Sequence, residues 1–440
     1  MSLPKMSPLS RDVSPDNSHV SPEVHSAAEQ TILFSTCAML AFGVLAFGAV
    51  QEWALCVLEC LAALLFALWA GYQIVLQRIQ LTSNALIPAL FLLSLPILQL
   101  STGRSAYVYA TRYTLLQWLA YSAFFLAASE LSSSPSARKR LAIGITAFGS
   151  LYAMFAVLQG FTLPPNLLYG VVKTHSSGFG SYANRNHYAG LMEMLLPFGL
   201  VTSSFVSVPR SLRVLTIFGT LVMVTSIFVS GSRGGMLSVV VALIVFAYHF
   251  WRHERTSTAV RTVVVAAILS SVFIAFFAYD RVASRSVMEA TDSMRIQIAR
   301  DSTHLVAQHP LLGSGLGTFT TVYPQVRSFP TELFVNAAHN DYVQLVVETG
   351  LLGVLFTAAF LYLVFRNGFQ QLRRAQRNWF SAVSLAAMVG SIALLVHSLF
   401  DFNLEIPANA ATFAFLVGLA SARLRPGSHI KASSAHERAD

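Results

Sequence analysis

The chain is 440 residues long, 55% hydrophobic and 11% charged, with a mean hydropathy of +0.59 and a formal net charge of +9. That composition excludes an ordinary water-soluble domain and describes a polytopic protein whose surface mostly faces lipid. The basic balance needs no nucleic-acid partner, because most of it falls where short basic loops are retained on the cytoplasmic side of a membrane.

Residues 1–29 are polar, rich in proline and serine, and lack an apolar core. They are expected to form a disordered cytoplasmic tail and not a cleaved signal, with the first span acting as the insertion signal. Apolar runs close to the ~20 residues needed to cross a bilayer then follow at 30–50, 53–76, 84–101, 113–131, 141–160, 188–206, 213–230, 236–251 and 262–280. A large loop is expected over 281–341, three more spans at 342–365, 379–400 and 407–423, and a short cytoplasmic tail over 425–440. The predicted fold is therefore an all-α, polytopic integral membrane protein of about twelve transmembrane helices with its large loop before the tenth. Its segments read as 1–29 tail, 30–280 spans one to nine, 281–341 loop, 342–424 spans ten to twelve, and 425–440 tail. Cys37, Cys56 and Cys60 all lie within predicted spans and are expected to pack as small hydrophobes.

With both termini inside, most of the 29 basic residues face the cytoplasm, including the Arg138-Lys139-Arg140 cluster. The same topology sends the 161–187 loop, the SGSRGG turn, the 281–341 loop and the DFNLEIP turn to the outer face. The basic residues left over there include Arg185, Arg233, Arg281, Arg285, Arg295, Arg300 and Arg327. Ionisable groups beside hydrocarbon are costly to keep, so such a cluster marks a substrate path or a reactive site.

In FGSYANRNHYAGL, at 179–191, Arg185 and His187 sit among Asn184 and Asn186 where the sixth span begins. The planar fork of arginine suits phosphate oxygens, and asparagine amides suit sugar hydroxyls. A polar helix start with snorkelling side chains is the structural alternative. SGSRGG, at 230–235, joins two spans in a very short turn. Its glycines admit close approach of a ligand, and Arg233 stands at the opening of a helix whose free amides favour anions.

The stretch MEATDSMRIQIARDSTHLVAQHP reads as an amphipathic helix with Met294, Ile298 and Leu305 on one side and Arg300 and His304 on another. It is expected to lie along the membrane surface and to direct Arg295 at a lipid-linked substrate. GSGLG, at 313–317, follows no strand and is read as a loop-shaping turn, not a nucleotide fingerprint. The segment ends at His339-Asn340-Asp341, with Glu348 in the following span. An imidazole of ordinary pKa near 6.5 takes a proton from a hydroxyl at neutral pH. His339 is the expected base, supported by Asn340 and oriented by either Asp341 or Glu348.

SGSRGG, the arginines leading to HPLLGSGLGTF, HNDYVQLVVETGLLG and the final HSLFDFNLEIP together resemble the O-antigen ligase and polymerase superfamily, most of all its lipopolysaccharide ligases. That resemblance covers most of the chain and is strongest from Gly231 to Pro407. It implies transfer of an O-antigen glycan from undecaprenyl diphosphate to lipid A-core in the periplasm of a bacterial inner membrane, by an inverting route without cofactor, metal or nucleotide sugar. By motif, His339 matches the family's loop histidine, Arg233 the arginine of its short outer turn, and Arg295 the arginine upstream of the HP-GxGxGxF stretch. Arg185 and Arg300 complete the expected diphosphate-binding set, with His187 in a supporting role. A polymerase or protein O-glycosylating transferase of the same superfamily remains open at this stage. So does a transporter of an anionic solute or lipid, which would depend on Glu52, Glu59 or His397.

Overall fold

The computed structural model describes residues 22–75, 83–131, 135–174, 177–204, 208–253, 285–331, 334–374 and 378–423. Eight helices come first: α1 (Pro22–Leu45), α2 (Glu52–Val75), α3 (Leu86–Ser101), α4 (Val108–Leu131), α5 (Pro135–Thr162), α6 (Arg185–Ser204), α7 (Arg210–Ser230) and α8 (Arg233–His253). They are followed by α9 (Arg285–Gln308), the single turn α10 (Phe319–Val322), α11 (Asp341–Arg374), α12 (Trp379–His397) and α13 (Pro407–Ser421). A two-residue hairpin, β1 (Leu167–Leu168) with β2 (Val172–Lys173), decorates the connection between α5 and α6. The protein is an all-α polytopic membrane protein. Each expected span coincides with a helix, apart from the run at 262–280, which lies outside the described residues together with Arg281.

Among the described residues, α1, α2, α5, α7, α11 and α12 contain stretches long and apolar enough to cross a bilayer, while α3, α8 and α13 are apolar but shorter. α6 is held differently. Every residue from His187 to Ser204 is buried, and α6 packs against α5, α7, α8 and α12. A helix surrounded by protein on all sides carries an ionisable residue such as Glu193 without exposing it to lipid.

α12 runs about 28 Å at 1.5 Å per residue, and polar contacts mark both its ends. Near its start, Arg138 of α5 is fully buried, donates to the Phe380 carbonyl (2.8 Å), the Ser384 hydroxyl (2.7 Å) and the Leu419 carbonyl (3.1 Å), and lies 3.7 Å over the Phe380 ring. The charge rule counts Arg138 as a loop cation, but the fold uses it to tie α5, α12 and α13 together. The far end of α12 opens onto the motifs of the candidate site.

The polar segment between α9 and α11 has its own small core. Ile298 and Leu305 of α9 pack with Phe319, Val322, Tyr323, Ala338 and Val347, and Met294 borders them. The apolar stripe of α9 is thus covered by protein, which corrects the expectation that it lies on the lipid surface. Asp301, on the same helix, accepts from the Ser328 amide (3.0 Å), the Tyr323 hydroxyl (3.1 Å) and Gln297 Nε2 (3.0 Å), fastening the returning loop.

HPLLGSGLGTF and ETGLLG interlock. Gly350 adopts φ 64°, ψ −167° inside α11, which breaks the helical ladder and frees the carbonyls of Val347 and Glu348. Those carbonyls accept from the amides of Ser314 (2.9 Å) and Gly315 (3.1 Å), while the amides of Leu351 and Leu352 donate to Pro310 (2.9 Å) and Leu311 (3.2 Å). A Cβ on Gly350 would stand 2.4 Å from the Leu311 carbonyl, so the crossing admits no side chain there.

Candidate functional site

The site is organised around Asp401, in the turn between α12 and α13. Its carboxylate is fully buried, yet four side chains from three other segments converge on it. His339 Nδ1 lies 3.7 Å and His187 Nε2 3.8 Å from Oδ1. On the other oxygen, Asn186 Nδ2 donates a hydrogen bond and Arg295 Nη2 stands at 3.8 Å. Burial by itself raises the Asp401 carboxyl, but the imidazoles of His187 and His339 and the Arg295 guanidinium hold it well below the usual carboxylate range. A buried anion at neutral pH is the result.

The Phe402 ring supports both imidazoles edge-on, His187 at 4.7 Å and His339 at 4.9 Å between centroids. His187 is nearly sealed, whereas the His339 side chain keeps 29% of its surface exposed. A molecule arriving from outside therefore meets His339. With Nδ1 turned toward Asp401, its Nε2 is the nitrogen left to take a proton.

His339 has a left-handed backbone, φ 51°, an unusual conformation for a residue with a side chain. Flanking contacts impose it. Asn340 Nδ2 donates to the Leu399 carbonyl (2.9 Å) and the Asp341 amide to the Ser398 carbonyl (3.0 Å), pinning this segment to the end of α12. Asn340 Oδ1 also accepts from the amides of Tyr342 (3.0 Å) and Val343 (3.1 Å), which caps α11. Asp341 Oδ2 accepts from the Leu404 amide at 3.3 Å and so helps shape the turn that carries Asp401.

Arg295 Nη1 donates to the Phe400 carbonyl at 2.8 Å while its Nε has no partner. The guanidinium thus braces the 400–401 turn, with its Nε buried behind that contact. Arg185 and Arg233 are exposed and adjacent: Arg185 Nη1 lies 3.3 Å from where a Cβ on Gly231 would stand, and the two charges sense each other. Two guanidinium groups over one turn form a cradle for an anion with several oxygens.

Two expected site residues are placed elsewhere. Glu348 accepts from the Gly317 amide (2.7 Å) and the Phe319 amide (3.0 Å), so it serves the GSGLG crossing and does not orient His339. Arg300 is exposed, about 140° around α9 from Arg295 at 3.6 residues per turn. Asp401 is the residue at the centre of the site that sequence reasoning left unnamed. Its turn, HSLFDFNLEIP, carried the signal, but nothing local says that this acid faces two distant histidines.

A family model described as O-antigen ligase matches residues 218–358. That match supports membership of the O-antigen ligase superfamily. The matched stretch runs from within α7 to within α11 and includes Arg233, Arg295 and His339. Asp401, His187 and Arg185 lie beyond it and join the site through the packing of α6 and α12. A search of curated proteins finds no match to the chain. The matched family suggests a glycosyl-transfer type of activity on polysaccharide or lipid-linked substrates.

Proposed function

We propose that this O-antigen ligase family member transfers O-antigen polysaccharide from undecaprenyl diphosphate to a sugar hydroxyl of lipid A-core. The reaction would take place at the periplasmic face of a bacterial inner membrane. The observation that carries this reading is the convergence on buried Asp401 of His339, His187, Asn186 and Arg295, beside the Arg185 and Arg233 pair.

In this mechanism His339 Nε2 removes the proton from the acceptor hydroxyl as its oxygen attacks the anomeric carbon. Asp401 keeps Nδ1 of the ring protonated and stabilises the imidazolium that forms, the role a carboxylate plays behind other catalytic imidazoles. Attack comes from the face opposite the diphosphate, so the new bond has inverted configuration. The departing diphosphate carries away the bonding electron pair, and Arg233 and Arg185 neutralise it, with the Arg295 guanidinium adding its positive charge nearby. The polyprenyl tail stays among the membrane helices.

The test is reconstitution of the purified protein in lipid nanodiscs with an undecaprenyl-diphosphate glycan and three acceptors: lipid A-core, a second O-unit, and a pilin-like protein. Transfer to lipid A-core that is lost in His339→Ala supports the ligase reading. Transfer only to the O-unit makes the protein a polymerase, and transfer only to the pilin makes it a protein glycosylating enzyme. Absence of all transfer, with anion transport that survives His339→Ala, overturns the proposal in favour of a transporter.

A further inference from the structure

Two buried ionisable side chains take no part in the chemistry above. Glu193 of α6 and His397 at the end of α12 have 0% and 1% of their side-chain surfaces exposed, and His397 Nδ1 lies 3.2 Å from each carboxylate oxygen. An acid and an imidazole sealed inside a membrane bundle are expensive to desolvate and contribute little net stability over an apolar pair. Their value has to be sought in what they hold in place.

The ring of His397 lies against the first turn of α8. A Cβ on Gly234 would come 2.5 Å from His397 Cδ2 and 2.7 Å from Nε2, distances at which no side chain fits. A Cβ on the next residue, Gly235, would come 2.7 Å from the Ala189 methyl of α6. The opening turn of α8 is thus seated flat on α12 and α6, and Arg233 directly precedes the seated glycines. Ser232 closes the same turn by accepting from the Gly235 amide at 3.2 Å.

His397 also has a second contact. Its backbone carbonyl accepts from the amides of Phe400 (2.8 Å) and Asp401 (3.1 Å), closing the turn that presents Asp401. One residue therefore touches the arginine turn with its ring and the carboxylate turn with its carbonyl. Glu193, gripping Nδ1 with both oxygens, stops the ring from rotating away.

We propose that His397, locked by Glu193, is a positioning residue that sets the distance between Arg233 and Asp401, and hence between the bound diphosphate and His339. This inference rests on the donor reading given above. Neither side chain touches substrate; both act through the seating of Gly234.

The experiment is steady-state kinetics of glycan transfer in nanodiscs, with undecaprenyl-diphosphate glycan and lipid A-core varied separately. His397→Ala and Gly234→Ala are each expected to raise the donor KM by about tenfold and to lower kcat, with the acceptor KM within about twofold. Glu193→Gln keeps the side-chain shape and should shift the donor KM the same way by a smaller factor. The double variant Gly234→Ala/His397→Ala should be no worse than His397→Ala, because the added methyl enters the space the ring has left. A purely structural loss would reduce the folded fraction and leave both KM values of the remaining enzyme unchanged.

An unchanged donor KM in folded Gly234→Ala and Glu193→Gln overturns the proposal, as does a double variant with fully additive losses. A wild-type protein that does not use the polyprenyl diphosphate donor sinks the donor reading itself, and this inference with it, before any variant is compared.

Discussion

His339 Nδ1 and Asp401 Oδ1 stand 3.7 Å apart, and His187 Nε2 lies 3.8 Å from the same oxygen. The pairing makes His339 the exposed member of an acid-supported imidazole whose partner is wholly buried.

Replacing His339 with Ala or Asn is expected to lower kcat for glycan transfer by about 10²–10⁴, the usual contribution of a positioned general base. The unfolding temperature should fall modestly, because the imidazole is one of the groups that offset the buried Asp401 charge, so kcat is compared for folded protein only. Transfer to lipid A-core by purified protein at matched concentration measures this. A His339→Ala enzyme with more than a tenth of normal kcat removes His339 from the chemistry.

Asp401→Asn should cost both activity and stability, and its pH dependence has a definite sign. The carboxyl is held below its ordinary value in the folded protein, so its stabilising contribution is complete above the unfolded pKa of about 3.9. That contribution is lost only as pH falls through the depressed folded value. The gap in unfolding temperature between wild type and Asp401→Asn should be constant from neutral pH to about pH 4 and close below it. A gap that widens on acidification contradicts the burial of an anion here.

Arg233→Ala and Arg185→Ala each remove charge-assisted hydrogen bonds to the proposed diphosphate, worth about 1.5–3 kcal/mol each. The donor KM should rise by about 10-fold to 100-fold, with the acceptor KM nearly constant. Arg300→Ala serves as the comparison and should stay within about twofold of wild type, because its side chain is exposed on another side of α9. Equal losses for Arg300 and Arg233 would dissolve the distinction between them.

Glu348→Gln places an amide opposite two backbone N–H donors that now share a carboxylate. Leaving one of them without an acceptor costs about 1–3 kcal/mol. The expected phenotype is faster proteolysis within 309–331 and a lower unfolding temperature, while KM values of the surviving folded enzyme hold steady. A selective loss of kcat at full stability would return Glu348 to the vicinity of His339.

Gly350→Ala should be more damaging than its small size suggests. The position has φ 64° and faces the Leu311 carbonyl at 2.4 Å from an added Cβ, so both backbone strain and a collision oppose it. A destabilisation of about 2 kcal/mol or more is expected, seen as poor yield of folded protein in detergent. A Gly350→Ala variant that unfolds at the wild-type temperature would contradict the interlocked crossing.

Much of this protein was decided by the sequence alone. Hydropathy sums over neighbouring residues, so the membrane class, the helical fold and the order of spans follow from runs that each turn of chain reports by itself. Arg233, Arg295 and His339 were legible for a similar reason: charged and imidazole groups stand out against 55% apolar residues, and their surrounding motifs are contiguous. Tertiary structure decided which of these groups meet. The side of α9 that reads as a lipid-facing stripe is claimed by Phe319 and Tyr323, and Glu348 is taken by two amides of a distant loop. Asp401 gains its role only when the starts of α6 and α11 and the end of α12 are packed side by side. Hydrogen bonds and ion pairs act over a few ångströms, whereas the residues concerned lie far apart along the chain, and no local pattern records that approach.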